Sequence, residues 1–356
     1  MNYNGTRQVG GGRRPSVACW GSALLGLLVA LAGGCDWIDG IEPGGGGGGG
    51  AVGNEAWGPG DYPPELRAER YLEIEGVDGQ DGLVRQYKVH VPPSYDPSVP
   101  TPLVFCMHGL AQTPVLFCVN GAEWPEKSDE EGFILVMPLG YESSWNAGVC
   151  CGGASEAKLD DVALVRAILA EVQTHLNVDG RRVYATGLSN GGFMSYRLAC
   201  EATDLFAAIA PNSALIGLNG IGTGTNPEDS DFFACEPSRP IPVFDSHGTA
   251  DPIVDYSFKA ASLERMRTLN GCSATTRPAV APVSAGDTTC VSYEGCPPGG
   301  EITACAVEGG GHCWFGGDDC GTGAGFLGQI FVGNNSDTLR TTDEAWRFLE
   351  RHSLPR

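Results

Sequence analysis

From about residue 65 to the end of the chain, short apolar or β-branched runs alternate with segments of helical periodicity. Residues 103–107 and 133–137 are continuous apolar runs, which is typical of strands covered on both faces. Apolar residues recur at helical spacing between Asp160 and Leu176 after an acidic start, which predicts an amphipathic crossover helix. The alternation predicts an α/β protein: a single domain with a mostly parallel central sheet and helices on both faces.

The same pattern predicts the other elements of this domain. Two opening strands, at residues 71–75 and 83–91, are joined through the turn Asp78-Gly79-Gln80-Asp81-Gly82. We expect later strands at residues 182–186, 207–210, 241–246 and 301–307, and further helices at residues 192–200 and 343–351.

The amino-terminal segment has the charged, apolar and small-residue zones of an export signal. Its apolar run, residues 23–32, is too short to span a bilayer stably. The run ends in Gly33-Gly34-Cys35, which resembles the lipobox of bacterial lipoproteins and implies that Cys35 becomes the lipidated first residue. Ala32 stands where lipoboxes favour Leu, so ordinary secretion is the alternative. We expect a lipoprotein-type signal peptide over residues 1–34 and membrane lipid as a partner.

A glycine-rich linker follows, over residues 35–64, and contains seven consecutive glycines from Gly44 to Gly50. Such a sequence cannot bury a core and behaves as a flexible coil. Its reach of about 25 to 30 Å would lift the domain at residues 65–356 clear of the lipid headgroups. A spacer with no role beyond separation is an equal alternative.

Composition excludes one class of partner. The net charge is -21, with 43 acidic residues against 22 basic ones, and proteins that seek phosphates need clustered Lys and Arg. We therefore expect no nucleic acid partner, and the acidic surface bears on solubility alone.

The 14 cysteines indicate folding where thiols can be oxidised. Setting aside Cys19 and Cys35 leaves twelve, enough for six disulfides. A bridge between Cys313 and Cys320 would stiffen the loop that carries His312. Metal binding is discounted, because the chain has no C-x-x-C pair.

The segment Gly187-Leu188-Ser189-Asn190-Gly191 is a G-x-S-x-G sequence, which is weak alone in a chain with 53 glycines. It directly follows a predicted strand and opens a predicted helix, which is the setting of a nucleophile elbow. Ser189 is therefore the candidate nucleophile, with a structural turn as the alternative.

A serine nucleophile needs a histidine base, and in this setting the chain order is serine, acid, histidine. Three histidines follow Ser189. His352 lies in a charged tail, and His247 ends a predicted strand with little room for an acid before it. His312 stands in a Gly-rich loop straight after the last predicted strand, so it is the candidate base by elimination.

The acid is expected on the loop after the preceding strand, where Asp251 is preferred. Asp245 is still inside the predicted strand, and Asp255 belongs to the approach of the next helix. Asp251 could also be a loop cap or a surface carboxylate.

Acyl transfer also needs two amide N–H groups that face the developing oxyanion. We assign these to Asn190, after the nucleophile, and to Leu110, after the third strand. His108 is expected to be a packed, hydrogen-bonded residue. Trp145 and Trp314 are candidates for the wall of a substrate pocket, with buried core residues as an even alternative.

The chain resembles the family of extracellular polyhydroxybutyrate depolymerases, feruloyl esterases and acetyl xylan esterases, which includes carbohydrate esterase family one. The resemblance runs from about Leu83 to the end. The blocks that carry it are Ser144 to Gly148, Cys150 to Gly152, Asp160 to Val162, Arg182 to Tyr184, Gly187 to Gly192, His247 to Asp251 and Gly310 to Trp314.

This resemblance implies an α/β-hydrolase fold, a triad of Ser189, Asp251 and His312, and no metal or organic cofactor. Family members usually carry Pro where Phe315 stands here, and this departure concerns the pocket wall. The expected function is an exported serine ester hydrolase acting on a polymeric or polymer-linked ester of the polyhydroxybutyrate or feruloyl type, with acetylated xylan as the alternative. A non-enzymatic, polymer-binding surface lipoprotein is the alternative from another class.

Overall fold

The computed structural model describes residues 72–77, 83–148, 150–217, 235–281, 285–317 and 332–355. The signal peptide, Cys35 and the glycine-rich linker predicted from the sequence lie outside these residues. Ten strands of the described chain form one sheet, in the order β1-β2-β4-β3-β5-β6-β7-β10-β9-β8. Their bounds are β1 Leu72–Glu75, β2 Val84–His90, β3 Thr101–Met107, β4 Ile134–Leu139, β5 Val178–Leu188, β6 Ala208–Asn212, β7 Val243–Gly248, β8 Thr276–Pro278, β9 Thr288–Tyr293 and β10 Ile302–Val307.

The six central strands, from β4 to β10 in the sheet order, are parallel to one another. At each edge, the two outer strands are antiparallel to each other, and the inner of the two is antiparallel to the central strand beside it. The mostly parallel sheet predicted from the apolar runs is therefore confirmed. Because β5, β7 and β10 run in one direction, the loops that follow them meet at the same edge of the sheet.

Helices cover both faces of this sheet. Val165 and Phe193 belong to one buried apolar cluster and Trp124 and Trp346 to another, and the sheet residues alternate between the two clusters. This layering confirms the α/β-hydrolase class of fold. The longer helices are α1 Trp124–Glu131, α2 Asp161–His175, α3 Asn190–Glu201, α4 Lys259–Asn270 and α5 Thr341–Leu349.

The sequence pattern did not predict the strands β8 and β9 or the helix α1, and it gave no bounds for the helix expected after Asp255, which is α4. All three residues of β8 are exposed, so no apolar run marks that strand. Helix α4 buries Lys259, Ser262 and Asn270 beside Met266, so its inward face is largely polar. The Asn270 amide donates to the Ile241 carbonyl oxygen at 2.7 Å, and such specific partners leave no periodicity in the sequence.

Five disulfides join described residues: Cys106–Cys118, Cys150–Cys151, Cys200–Cys235, Cys272–Cys296 and Cys290–Cys305. Cys313 is disulfide-bonded as well, and Cys320, its predicted partner, lies outside the described residues. The bridges indicate folding in an oxidising compartment. Among the described residues, no helix is both long and apolar enough to cross a bilayer.

Candidate active site

Ser189 lies at the junction of β5 and α3, with φ 55° and ψ -123°. These angles are those of the first central residue of a type II′ turn, a position that favours glycine. A residue with a side chain held there is strained by about 1 to 3 kcal/mol, and such strain concentrates at functional sites. The Ser189 amide donates to the Asn212 carbonyl oxygen at 3.0 Å, which fixes the turn against the end of β6.

The glycines beside Ser189 permit this tight turn. A Cβ atom on Gly187 would lie 2.6 Å from the carbonyl carbon of Gly191, and one on Gly191 would lie 2.1 Å from the Met107 oxygen. Both positions therefore require glycine, because the strand, the helix and the end of β3 meet there without space for a side chain. The two glycines of the G-x-S-x-G pattern are therefore required by the close packing at the nucleophile elbow.

Asp251 and His312 are joined directly. His312 Nδ1 donates to Asp251 Oδ2 at 2.7 Å, and both residues are buried. Their loops follow β7 and β10, and the Ala250 amide donates to the Gly310 oxygen at 2.9 Å. A Cβ atom on Gly248 would lie 2.2 Å from that same oxygen, so a glycine at this position lets the two loops approach.

The other carboxylate oxygen is also fully engaged. Asp251 Oδ1 accepts from the amides of Ile253 at 2.8 Å and Val254 at 2.9 Å. Burial alone would raise the pKa of Asp251, but the charge of His312 and the hydrogen bonds from His247 and His312 hold that pKa well below its ordinary value. The carboxylate therefore stays ionised and fixes the proton of His312 on Nδ1, which leaves Nε2 free to accept a proton.

Ser189 lies at the same edge of the sheet as this pair, because β5, β7 and β10 are parallel. Within the described part of the chain, the Ser189 hydroxyl makes no hydrogen bond to His312. Catalytic hydrogen bonds are often long in unliganded enzymes and tighten when substrate binds. The arrangement supplies an ionised acid, an oriented imidazole and a strained serine at one edge.

The two candidate oxyanion amides also lie at this edge. Asn190 is the first residue of α3, where a backbone N–H has no partner within the helix and the helix dipole favours negative charge. Leu110 lies in the turn after β3, which is held by a bond from the Gly109 amide to the Gln112 side chain at 2.8 Å. The close contact of Gly191 with Met107 packs this turn against the start of α3.

The two candidate pocket tryptophans are buried, which favours the core alternative that the sequence left open. Trp145 is 0 % exposed and donates from Nε1 to the His108 carbonyl oxygen at 2.9 Å. Trp314 is 1 % exposed, donates from Nε1 to Thr342 Oγ1 at 2.8 Å and packs among the rings of the second apolar cluster. Both indoles have polar partners inside the protein and present no face to solvent.

His108 is a packed residue, as expected. Its Nδ1 donates to the Gly109 oxygen at 2.7 Å, and its Nε2 accepts from the Gly140 amide at 2.9 Å. Burial lowers the pKa of His108 to about 4, so the ring is neutral near pH 7. With both nitrogens occupied, this histidine supports the turn that carries Leu110.

The alternative acids have other partners. Asp245 lies inside β7 and accepts from Lys259 Nζ at 2.8 Å and from the Tyr196 hydroxyl at 2.6 Å. Asp255 caps the short helical turn Tyr256–Phe258 through the Ser257 amide. His352, an alternative base, packs at a tilt against the Phe348 ring, with centroids 4.7 Å apart.

His247 is the site residue that the sequence reasoning missed. Its Nε2 donates to Asp251 Oδ2 at 3.0 Å, although its position on β7 had suggested no role. The available signal was its spacing of four residues before the acid across a glycine turn.

Comparisons with known proteins agree with this fold. A family model described as "Putative esterase" matches residues 83–268, just over half of the 356-residue chain, and the chain belongs to this esterase family. The match ends before His312.

Several fungal proteins are similar to the chain. Feruloyl esterase B of Piromyces equi is 27% identical over 232 residues, which cover 60% of this chain and 38% of that protein. The bifunctional acetylxylan esterase/xylanase XynS20E of Neocallimastix patriciarum is 29% identical, covering 54% of this chain and 25% of that protein. Feruloyl esterase D of Neurospora crassa is 27% identical, covering 65% of this chain and 75% of that protein. The chain thus spans well under half the length of the first two relatives.

Among solved structures, the apo form of esterase 2 of Thermogutta terrifontis superposes with a TM-score of 0.50 at 18% identity. The superposition covers 83% of this chain and 99% of that structure. The likeness supports the fold alone.

Proposed function

We propose that this protein is an ester hydrolase, an exported serine carboxylesterase that acts through an acyl-enzyme at Ser189. The observation that carries the proposal is the 2.7 Å bond from His312 Nδ1 to Asp251 Oδ2, at the sheet edge where Ser189 occupies its strained turn. An ionised acid behind an imidazole with a free Nε2 is the arrangement that activates a serine hydroxyl.

In the proposed reaction, Ser189 Oγ attacks the ester carbonyl carbon while its proton passes to His312 Nε2. The amides of Leu110 and Asn190 donate to the oxyanion of the tetrahedral intermediate. His312 then returns the proton to the leaving alcohol as the carbon–oxygen bond breaks. Water repeats the sequence on the acyl-enzyme and releases the acid, which restores Ser189. No cofactor takes part in these steps.

The proposed substrate is an ester attached to a polymer, with a feruloyl ester of plant polysaccharide placed first. Support comes from feruloyl esterases B and D named above, at 27% identity each. Acetylated xylan is the second candidate, supported by the acetylxylan esterase relative. Polyhydroxybutyrate is the third candidate and rests on the family resemblance.

One plate assay separates these substrates. Purified protein and its Ser189→Ala variant would be compared on p-nitrophenyl acetate, methyl ferulate, acetylated xylan and amorphous polyhydroxybutyrate. We expect turnover of p-nitrophenyl acetate and methyl ferulate that disappears in the variant. Equal turnover by both proteins would contradict the serine mechanism, and release of hydroxybutyrate alone would contradict the feruloyl assignment.

The proposed location is the cell envelope, with Cys35 lipidated and residues 35–64 acting as a tether. The disulfides of the catalytic domain support export, since they form outside the cytosol. Full-length protein made in a bacterial host should enter the detergent phase, whereas Cys35→Ser should remain in the aqueous phase or unprocessed. Identical partitioning of the two proteins would exclude the anchor and leave ordinary secretion.

A further inference from the structure

Two imidazoles share one oxygen of the candidate catalytic acid. Asp251 Oδ2 accepts from His312 Nδ1 at 2.7 Å and from His247 Nε2 at 3.0 Å. The proposed triad uses only the first of these bonds. The second comes from a ring that is 0 % exposed and lies within β7.

The bonds of His247 determine which nitrogen carries its proton. Besides Asp251 Oδ2, Nε2 lies 2.9 Å from the Val254 carbonyl oxygen, and both of these atoms can only accept. The proton is therefore on Nε2, which is shared between the two oxygens. Nδ1 is buried and has no hydrogen-bond partner among the described residues, so a second proton there would be an unsatisfied buried donor.

The surroundings of His247 also favour the neutral ring. Burial, and next the positive charge of Lys259, lower its pKa despite the opposing effects of Asp251 and Asp245. Tyr256 packs edge-on against the imidazole with ring centroids 5.5 Å apart. A neutral ring that donates from Nε2 cannot also accept a proton there, which excludes His247 as a competing base.

Because His247 lies on a central strand, its hydrogen bond to Asp251 connects the acid to the sheet. Strand β7 is hydrogen-bonded to β6 on one side and to β10 on the other, so the ring is attached to a central strand of the sheet. Of the other described donors to Asp251, His312 lies on the loop after β10, and the amides of Ile253 and Val254 belong to the same loop as the acid. His247 is therefore the donor to Asp251 that ties the carboxylate directly to the sheet.

We infer that His247 is a positioning residue, whose neutral Nε2–H fixes Asp251 Oδ2 so that His312 presents its free Nε2 toward Ser189. This inference rests on the proposed triad. Without His247, His312 would be the only side-chain donor to Oδ2 among the described residues, so the carboxylate and the catalytic ring could turn together.

The test uses two amide variants that differ in reach. The amide nitrogen of Gln can occupy the place of His Nε2, whereas that of Asn corresponds to Nδ1 and stops short of Asp251. We expect His247→Gln to retain kcat within a few-fold, while His247→Asn and His247→Leu lose about ten- to a hundredfold, as expected for a hydrogen bond to a charged group. KM should stay nearly constant, because no proposed substrate contact is removed.

A structural role alone would give a different result. His352→Leu removes a partly buried histidine remote from the site and serves as the matched control, with kcat unchanged. Equal kcat losses in the Gln and Asn variants of His247, or full activity in either Asn or Leu, would overturn the inference. Ser189→Ala is measured alongside. Activity in that variant would refute the triad itself. If that variant is inactive, a negative result with the His247 variants contradicts the positioning role alone.

A spectroscopic measurement covers the case in which a variant folds poorly. The proton on His312 Nδ1, shared with Asp251, should give a low-field resonance in the proton NMR spectrum of the wild-type protein. We expect His247→Gln to keep this resonance and His247→Asn to shift or broaden it. An identical resonance in all three proteins would contradict the positioning role.

Discussion

The Asn190 side chain binds the backbone of Trp145 in both directions. Asn190 Oδ1 accepts from the Trp145 amide at 2.6 Å, and Nδ2 donates to the Trp145 oxygen at 3.0 Å. The residue that supplies one candidate oxyanion amide is thus attached to the segment after β4. Because the Trp145 indole in turn donates to the His108 oxygen, the elbow and the Leu110 turn are connected through one buried residue.

Asn190→Ala should therefore lower both stability and activity, although it leaves the backbone amide in place. Each buried group left without its partner costs about 1 to 3 kcal/mol in the free energy of unfolding. We expect kcat to fall at least tenfold as the start of α3 loses its attachment. Urea unfolding and steady-state kinetics measure the two effects. Asn177→Ala, which removes a bond to the Pro97 oxygen far from the site, should leave kcat unchanged.

The strain at Ser189 predicts a stability difference between two inactive variants. Ser189→Ala keeps a Cβ atom at φ 55°, whereas Ser189→Gly removes it. We expect the Gly variant to be the more stable of the two by about 1 kcal/mol, since relief of the strained turn outweighs the entropy that glycine loses on folding. Chemical denaturation of both variants gives the comparison. A less stable Gly variant would show that the turn is not strained.

The buried His108 predicts a loss of stability in mild acid. Its pKa is about 4 in the folded protein because burial disfavours the cation, while the unfolded chain takes up the proton near the ordinary value of 6.5. The unfolded state therefore binds more protons between these values, and stability falls as the pH drops through this window. The loss attributable to this one residue is about 3 kcal/mol.

Unfolding free energies of the wild-type protein and of His108→Gln at pH 7, 5.5 and 4.5 test this assignment. The difference between the two proteins should shrink as the pH falls, because Gln does not titrate. Burial also lowers the pKa of His352 to about 4. This residue should therefore contribute a similar pH dependence of stability in both proteins, which cancels in the difference between them. A constant difference across the three pH values would contradict the prediction for His108.

The sequence predicted the parallel sheet because its central strands are buried on both faces and leave continuous apolar runs. It also placed Ser189 in a strand-turn-helix junction, since the flanking glycines are required by contacts such as that of Gly191 with Met107. The helix expected after Asp255, α4, could not be given bounds, because its inward face depends on the partners of Lys259 and Asn270.

Two features of the site needed three-dimensional contacts. Trp145 and Trp314 are aromatic residues beside functional motifs, and only their indole hydrogen bonds show that they lie in the core. The role of His247 depends on the turn that brings its ring back to Asp251, and the spacing alone does not reveal the direction of a side chain on a strand.

Intact-protein mass spectrometry with a fluorophosphonate tests whether Ser189 is the acylated nucleophile. We expect one phosphonyl adduct on the wild-type protein, located on the peptide that contains Ser189. His312→Ala and Asp251→Ala should react much more slowly, and Ser189→Ala should stay unmodified. A folded wild-type protein without an adduct, or an adduct of equal yield on Ser189→Ala, would contradict this role of Ser189.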